Sequence, residues 1–206
     1  MIEGKRTLSK RQLEIRLGKL KILESPRLKL EQYPVSPEVA AELLYMAGFE
    51  HDDLHGKKIA ELGTGTGRLA IGAALMGAQS VLGVDVDERA LVLARENAAG
   101  LGAVVDWANR SMEDVKGEFD TVIMNPPYGT RLRHHDVKFL LKGFQLAPVT
   151  YSIHKSSTRD FLSELIKKHG RRVDEIRSMR MVIPHLFSFH KRKWAGIDVD
   201  VYRTMA

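Results

Sequence analysis

Apolar positions along this chain fall into two rhythms. From Lys57 onward, short apolar runs alternate with helical ones. Ile59, Ala60 and Leu62 form a short strand that enters a glycine-rich turn, and small apolar residues from Leu69 to Met76 form a helix. A strand at Val81 to Val84 comes next, then a helix opened by Asp87 and closed near Gly100. Further strands are expected at Val104-Val105, at Phe119 to Met124 and at Val149 to Ile153, with helices at Phe139 to Leu146 and Phe161 to Lys168. Runs apolar on both sides, alternating with helices, predict an α/β fold: a mostly parallel sheet with helices on both faces. The second rhythm has period two. Met179, Met181 and Ile183 alternate with polar residues, as do Ile197, Val199 and Val201, which predicts a C-terminal antiparallel pair joined by the basic segment Phe187 to Trp194 and a total of seven strands. Upstream, Leu13, Leu17 and Leu20 at i, i+4 and i+7 predict a helix. Pro34 and Pro37 hold the next segment extended, and Ser36-Pro37 caps a helix reaching about Gly48.

Charge adds a layout that the pattern lacks. The net charge is +6, but residues 1–30 hold nine Lys/Arg against three Asp/Glu, residues 31–120 hold seven against sixteen, and residues 121–206 hold sixteen against seven. A basic arm (1–30) therefore precedes a domain (31–206) with an acidic first half and a basic second half. Basic surfaces attract polyanions through counterion release, so nucleic acid is a candidate partner, although such runs also occur as plain solvated faces. The chain has no cysteine, which excludes disulfides, thiolate nucleophiles and Cys-ligated metal sites. His134-His135 has the look of a metal pair only superficially, because adjacent side chains diverge, and no metal site is expected. No apolar run is long enough to span a membrane, and no apolar segment follows Met1-Ile2-Glu3-Gly4-Lys5-Arg6, so neither a spanning helix nor a cleaved leader is expected. The expected location is the cytoplasm.

Two motifs carry chemistry. In Glu61-Leu62-Gly63-Thr64-Gly65-Thr66-Gly67 the glycines let a ligand lie against backbone at the end of the first strand. Arg68 stands where a dinucleotide fingerprint requires glycine, which makes a nicotinamide oxidoreductase a distant reading. Asp85 ends the second strand, where a carboxylate can accept both hydroxyls of a ribose. The second motif, Asn125-Pro126-Pro127-Tyr128, follows a buried strand. Its prolines donate no N–H and leave carbonyls as acceptors, Asn125 adds a side-chain carbonyl, and Tyr128 offers a ring for stacking. Such a site suits a planar amino group: two acceptors for two N–H bonds and one aromatic face.

With these residues the chain resembles the class I S-adenosylmethionine-dependent methyltransferases, which share a Rossmann-like fold and here act on exocyclic or amide nitrogens. Leu30-Glu31-Gln32-Tyr33-Pro34, Val122 to Pro127, His154-Lys155-Ser156-Ser157-Thr158 and Phe189-His190-Lys191 make it similar over nearly its whole length to the archaeal and eukaryotic small-subunit rRNA N6-adenosine methyltransferases. That resemblance implies S-adenosylmethionine as cofactor and RNA as substrate. It places Gln32 over the cofactor, Gly63, Gly65, Thr66 and Arg68 at its methionine part, and Asp85 at its ribose. Val35 stands where the family usually has Thr, and Ser111 where it has an Asp for the adenine amino group. Tyr128 stands where Phe is usual. The resemblance further implies catalysis by Asn125, Pro126, Pro127 and Tyr128, substrate contacts at His154, Lys155, His190, Lys191, Arg192 and Lys193, and a small zinc-containing activator protein as partner. Two other readings compete: a glutamine N5-methyltransferase acting on a peptide-release factor, whose amide suits the same acceptors, and a non-catalytic RNA-binding protein on the same fold.

Overall fold

A computed structural model describes residues 8–128, 135–184 and 194–206. Its strands are β1 (Lys58–Leu62), β2 (Ser80–Asp85), β3 (Asp106–Asn109), β4 (Thr121–Met124), β5 (Val149–Lys155), β6 (Arg172–Pro184) and β7 (Trp194–Met205). Its α-helices are α1 (Lys10–Gly18), α2 (Pro37–Tyr45), α3 (Arg68–Leu75), α4 (Glu88–Leu101), α5 (His135–Leu146) and α6 (Arg159–Lys168). All seven strands form one sheet in the order β3-β2-β1-β4-β5-β7-β6. The first five are parallel, and β7 runs antiparallel between β5 and β6.

That order fixes where a ligand can sit. From β1 the chain winds outward to β2 and β3, then returns to the other side of β1 for β4 and β5. The reversal opens a crevice beyond the carboxyl ends of β1 and β4, where open α/β sheets bind ligands. Leu62 pairs with Met124, so Gly63 and Asn125 leave adjacent strands side by side.

Alternation along the strands divides the core. Ile59, Ile123, Tyr151 and Val199 pack with residues of α1, α2 and α3, whereas Ala60, Leu62, Val122 and Met124 pack on the other face with Phe139 of α5. The arm contributes to the first of these cores. Ser9 and Gln12 form a capping box at the start of α1, and Leu13 and Leu17 are fully buried against the body. Burying each is worth about 2 kcal/mol. After α2 the helical run continues as a π-turn, Met46–Glu50.

One strand lies elsewhere than the pattern predicts. Val104 and Val105 are not in β3, which begins at Asp106, and Val104 is 87% exposed. β3 is an edge strand with two apolar side chains, Trp107 packed on one core and the small Ala108 on the other. The Trp107 ring fills the space left by two glycines. A Cβ on Gly83 would lie 2.5 Å from the ring, and one on Gly67, whose φ is +88°, would lie 2.6 Å from it. Helix α4 also runs past Gly100 and is closed by Gly102.

Trp107 is rigid and cannot yield to a methyl group. Gly83→Ala is therefore expected to destabilise the fold by about 1–3 kcal/mol, seen as a lower urea midpoint at unchanged slope.

Candidate active site

The turn after β1 is built from three left-handed glycines, Gly63, Gly65 and Gly67, at φ +71°, +54° and +88°. The N–H groups of Gly63, Thr64 and Gly65 are held by the neighbouring strand, and that of Gly67 by the Thr64 carbonyl within the turn. The Val84 carbonyl accepts from both Gly63 and Thr64 at 2.9 Å, and Asp85 Oδ2 accepts from Gly65 at 2.8 Å. Nothing lies within 4 Å of where a Gly65 Cβ would be, so the backbone is open on that side. Beneath the turn Glu61 is only 3% exposed, and its Oε2 accepts from the Thr64 hydroxyl and from Ala70 N–H at 2.7 Å. Burial pushes the Glu61 carboxyl up to about 8 against the pull of those two bonds, and burial raises that of Asp85 as well.

This turn floors a cavity of about 300 Å³. Of the residues expected to hold a cofactor, Gln32, Val35, Gly63, Gly65, Thr66, Arg68, Asp85 and Ser111 all line it. A strap of residues 31–35 covers it and is tied down at separate points. Gln32 Nε2 donates to Asp87 Oδ2 at 3.1 Å while its Oε1 accepts from Arg27 N–H at 2.7 Å. Arg68 donates to the Val35 carbonyl, and the Val35 side chain is buried in the core. Burial lowers the Arg68 guanidinium to about 10. The Ser111 hydroxyl accepts from Glu113 N–H at 3.2 Å, capping a short turn at the cavity wall.

Asn125 and Pro127 line the same cavity, and Pro126 is buried between them. Asn125 Nδ2 donates to the Tyr33 carbonyl at 3.3 Å, and Oδ1 accepts from the Tyr128 hydroxyl at 3.3 Å. The hydroxyl that Tyr128 adds to a phenyl ring therefore has its partner within the motif. Lys155 Nζ stands over the Tyr128 ring, 5.5 Å from its centroid, which puts Lys155 beside the motif.

His154 is placed otherwise than expected. It is 1% exposed, neither ring nitrogen has a hydrogen-bond partner among the described residues, and its ring meets Tyr202 edge-on at 5.7 Å. It faces the inside of the sheet, not a substrate, because β5 places residues 154 and 155 on opposite sides. His190, Lys191, Arg192 and Lys193 lie outside the described residues, as does His134.

Several residues in and beside the cavity carry no role in the sequence pattern. Glu61 belongs to the glycine motif, but its spacing does not reveal that it is buried and bonded to the turn. Asp87 reads as a helix cap; it also anchors Gln32, and its bonds with Arg89 hold its carboxyl down at about 2. Phe139 reaches the turn from α5: a Cβ on Gly63 would lie 2.9 Å from its ring. The Tyr33 carbonyl left no signal at all, since any residue has one.

Comparison with known proteins follows the same lines. A family model for ribosomal protein L11 methyltransferases (PrmA) matches residues 43–126. The rRNA N(6)-adenosine-methyltransferase METTL5 of Danio rerio is 36% identical over 200 residues, 94% of this chain and 97% of that protein. The crystal structure of a candidate RNA methyltransferase from Pyrococcus horikoshii is similar at a TM-score of 0.89 and 38% identity, over 96% of this chain and 98% of that one. A Methanocaldococcus jannaschii protein provisionally named for protein N5-glutamine methylation is 33% identical over 108 residues, only 52% of this chain and 54% of its own.

The buried imidazole has a consequence for stability. Burial holds His154 down at about 4, against 6.5 when exposed, so the folded state keeps it neutral. The unfolded chain binds the proton first as pH falls. Stability is thus fully present above about 6.5 and is lost as pH drops towards 4, by roughly 3 kcal/mol. Denaturant titrations of His154→Phe are expected to lose that part of the acid slope, which a parallel slope would refute.

Proposed function

The chain belongs to the family of rRNA N6-adenosine methyltransferases, and from that premise we propose that Asn125 and the Pro126 carbonyl receive the N6 amino group of an adenosine at the mouth of the cavity. The reaction is S-adenosylmethionine-dependent methylation of rRNA at adenosine N6. The observation that carries the residue roles is the pairing of Leu62 with Met124, which sets the glycine turn and Asn125 side by side on one cavity.

The cavity suits such a cofactor. The open face of Gly65 offers backbone to a ligand, and the half-buried Asp85 carboxylate suits one that carries positive charge. When bound, S-adenosylmethionine supplies an electrophilic methyl group. Gln32, Val35, Gly63, Gly65, Thr66 and Arg68 would enclose its methionine end, Asp85 its ribose and Ser111 its adenine. Asp85 Oδ1 and Oδ2 each accept one backbone N–H, from Asp87 and Gly65, and each oxygen retains a second lone pair for a hydroxyl.

The N6 lone pair is delocalised into the adenine ring. By accepting both N–H bonds, Asn125 and Pro126 would turn N6 towards tetrahedral geometry and aim its lone pair into the cavity. Pro127 stiffens the loop, and Tyr128 stacks on the base. No side-chain base is required for attack, since N6 becomes acidic only as its new bond forms. Alignment and fixed dipoles supply several kcal/mol of this catalysis. An adenosine presented in this way has left its stack, which favours an unpaired site in structured, small-subunit rRNA.

The basic arm, residues 1–30, is the proposed RNA contact of a methyltransferase domain spanning 31–206, together with Lys155 and the segment His190 to Lys193. Lys10 and Lys21 are paired with Glu42 and Glu96, whereas Arg11, Arg16 and Lys19 stand on the exposed side of α1. Helix α1 ends beside Pro37, next to the strap, so this side leads to the cavity. The resemblance also supports a small zinc-containing activator protein as partner. An rRNA substrate and a chain without cysteine support a cytoplasmic location; among the described residues no helix is long and apolar enough to cross a membrane. The N5-glutamine reading is not favoured, because that likeness covers only about half of either chain.

Asn125→Ala is expected to abolish methyl transfer to rRNA while calorimetry still shows cofactor binding; wild-type turnover would sink the assignment. Replacing Arg11, Arg16 and Lys19 together by Ser is expected to reduce the slope of log affinity for RNA against log salt by about two to three. Point changes are the right test, since deleting the arm would also strip Leu13 and Leu17 from the core. An unchanged slope returns α1 to being a solvated face.

A further inference from the structure

A side-chain amide has two ends of nearly the same shape and opposite chemistry: an oxygen that accepts and an NH₂ that donates. For Asn125 the orientation decides whether N6 meets an acceptor or another donor. Its surroundings accept only one. The Tyr33 carbonyl, 3.3 Å from Nδ2, cannot donate; turned over, the amide would set oxygen against oxygen there. The Tyr128 hydroxyl lies 3.3 Å from Oδ1 and donates to it. A hydroxyl can donate or accept, so the Tyr33 carbonyl sets which end of the amide faces it, and Tyr128, whose phenol burial pushes well above its ordinary range, then serves the oxygen as donor, with Met181 Sδ at 4.0 Å as its other neighbour.

The carbonyl is itself a fixed point. Tyr33 lies in the strap between Gln32, bonded to Asp87, and Val35, whose carbonyl is held by Arg68. The hydroxyl is placed by a loop with two prolines and a ring that stands under Lys155. Oδ1 has two lone pairs, so one engaged by Tyr128 leaves one for an N6–H.

We propose that the Tyr33 carbonyl and the Tyr128 hydroxyl are a positioning pair that locks the Asn125 amide with its oxygen towards the substrate, so that the strap covering the cofactor cavity also sets the acceptor for N6. The inference rests on Asn125 being the N6 acceptor and adds what orients it. It also explains why an amide stands here: a carboxylate would place a second acceptor against the Tyr33 carbonyl, whereas a protonated carboxyl could donate to that carbonyl and keep an oxygen for N6.

The experiment uses the full-length protein with small-subunit rRNA and S-adenosylmethionine. Activity of Asn125→Asp is measured relative to wild type from about pH 5.5 to about pH 8.5, the range in which a buried carboxyl titrates. The pair predicts that this ratio rises about tenfold towards the acid end, as protonation restores the missing donor. A ratio that is flat, that rises with pH, or that is nil at both ends although the variant still binds cofactor overturns it. Asn125→Ala, run alongside, separates the two ideas: turnover in that variant removes Asn125 as acceptor, whereas an inactive Asn125→Ala beside a flat Asn125→Asp removes the positioning pair alone. Should Asn125→Asp fail to bind cofactor, Tyr128→Phe decides. The expected result is a kcat several-fold lower at unchanged KM for RNA, the weight of one neutral hydrogen bond; an unchanged kcat overturns the proposal.

Discussion

The end of β2 holds the turn that follows β1, and the upper edge of the sheet is arranged around that hold. The Val84 carbonyl and the Asp85 carboxylate take the N–H groups of Gly63, Thr64 and Gly65, fixing a left-handed backbone that no longer side chain would adopt without strain. The turn in turn aims α3 and with it Arg68, which holds the strap through the Val35 carbonyl. Thr66 extends the hold to the arm. Asn97 of α4 donates to the Thr66 carbonyl at 3.0 Å, donates to the Lys21 carbonyl and accepts from Lys21 N–H. One buried amide thus fastens the basic arm to the cofactor turn, and Trp107 packs the remaining side against Gly67.

What the sequence makes legible is what is short in range. The glycine turn, Asp85 at a strand end and the Asn-Pro-Pro-Tyr loop each occupy a few consecutive residues whose chemistry depends little on distant partners. The seven strands and their order of helices follow from the period of apolar residues. The misplacements have a common cause. Val104-Val105 looks like a strand because it is apolar, whereas the actual edge strand has one paired side and carries Asp106 and Asn109. In β5, Thr150, Ser152 and His154 alternate with apolar residues as if one face met water, yet all three are buried under α5 and α6 alongside Tyr202.

Long-range polar contacts were illegible for a different reason. The ties of Gln32 to Asp87 and of Asn125 to the Tyr33 carbonyl join residues 55 and 92 positions apart. In one case the acceptor is main chain, which composition and spacing cannot single out. Likewise the apolar stripe of α1 predicts a helix, but not that Leu13 and Leu17 complete a core shared with α2 and α3.

The half-buried Asp85 at the cavity wall bears on how the site would let go of a methyl donor as well as how it would bind one. A methyl donor brings a positively charged sulfur to this group, and the spent donor keeps its shape while that sulfur becomes a neutral thioether. Asp85, held in place by backbone N–H groups, cannot move away to soften the difference. Its attraction for that cation would be lost once the methyl group leaves. On the proposed reading, the acidic middle of the chain would thus favour the charged donor over its neutral by-product.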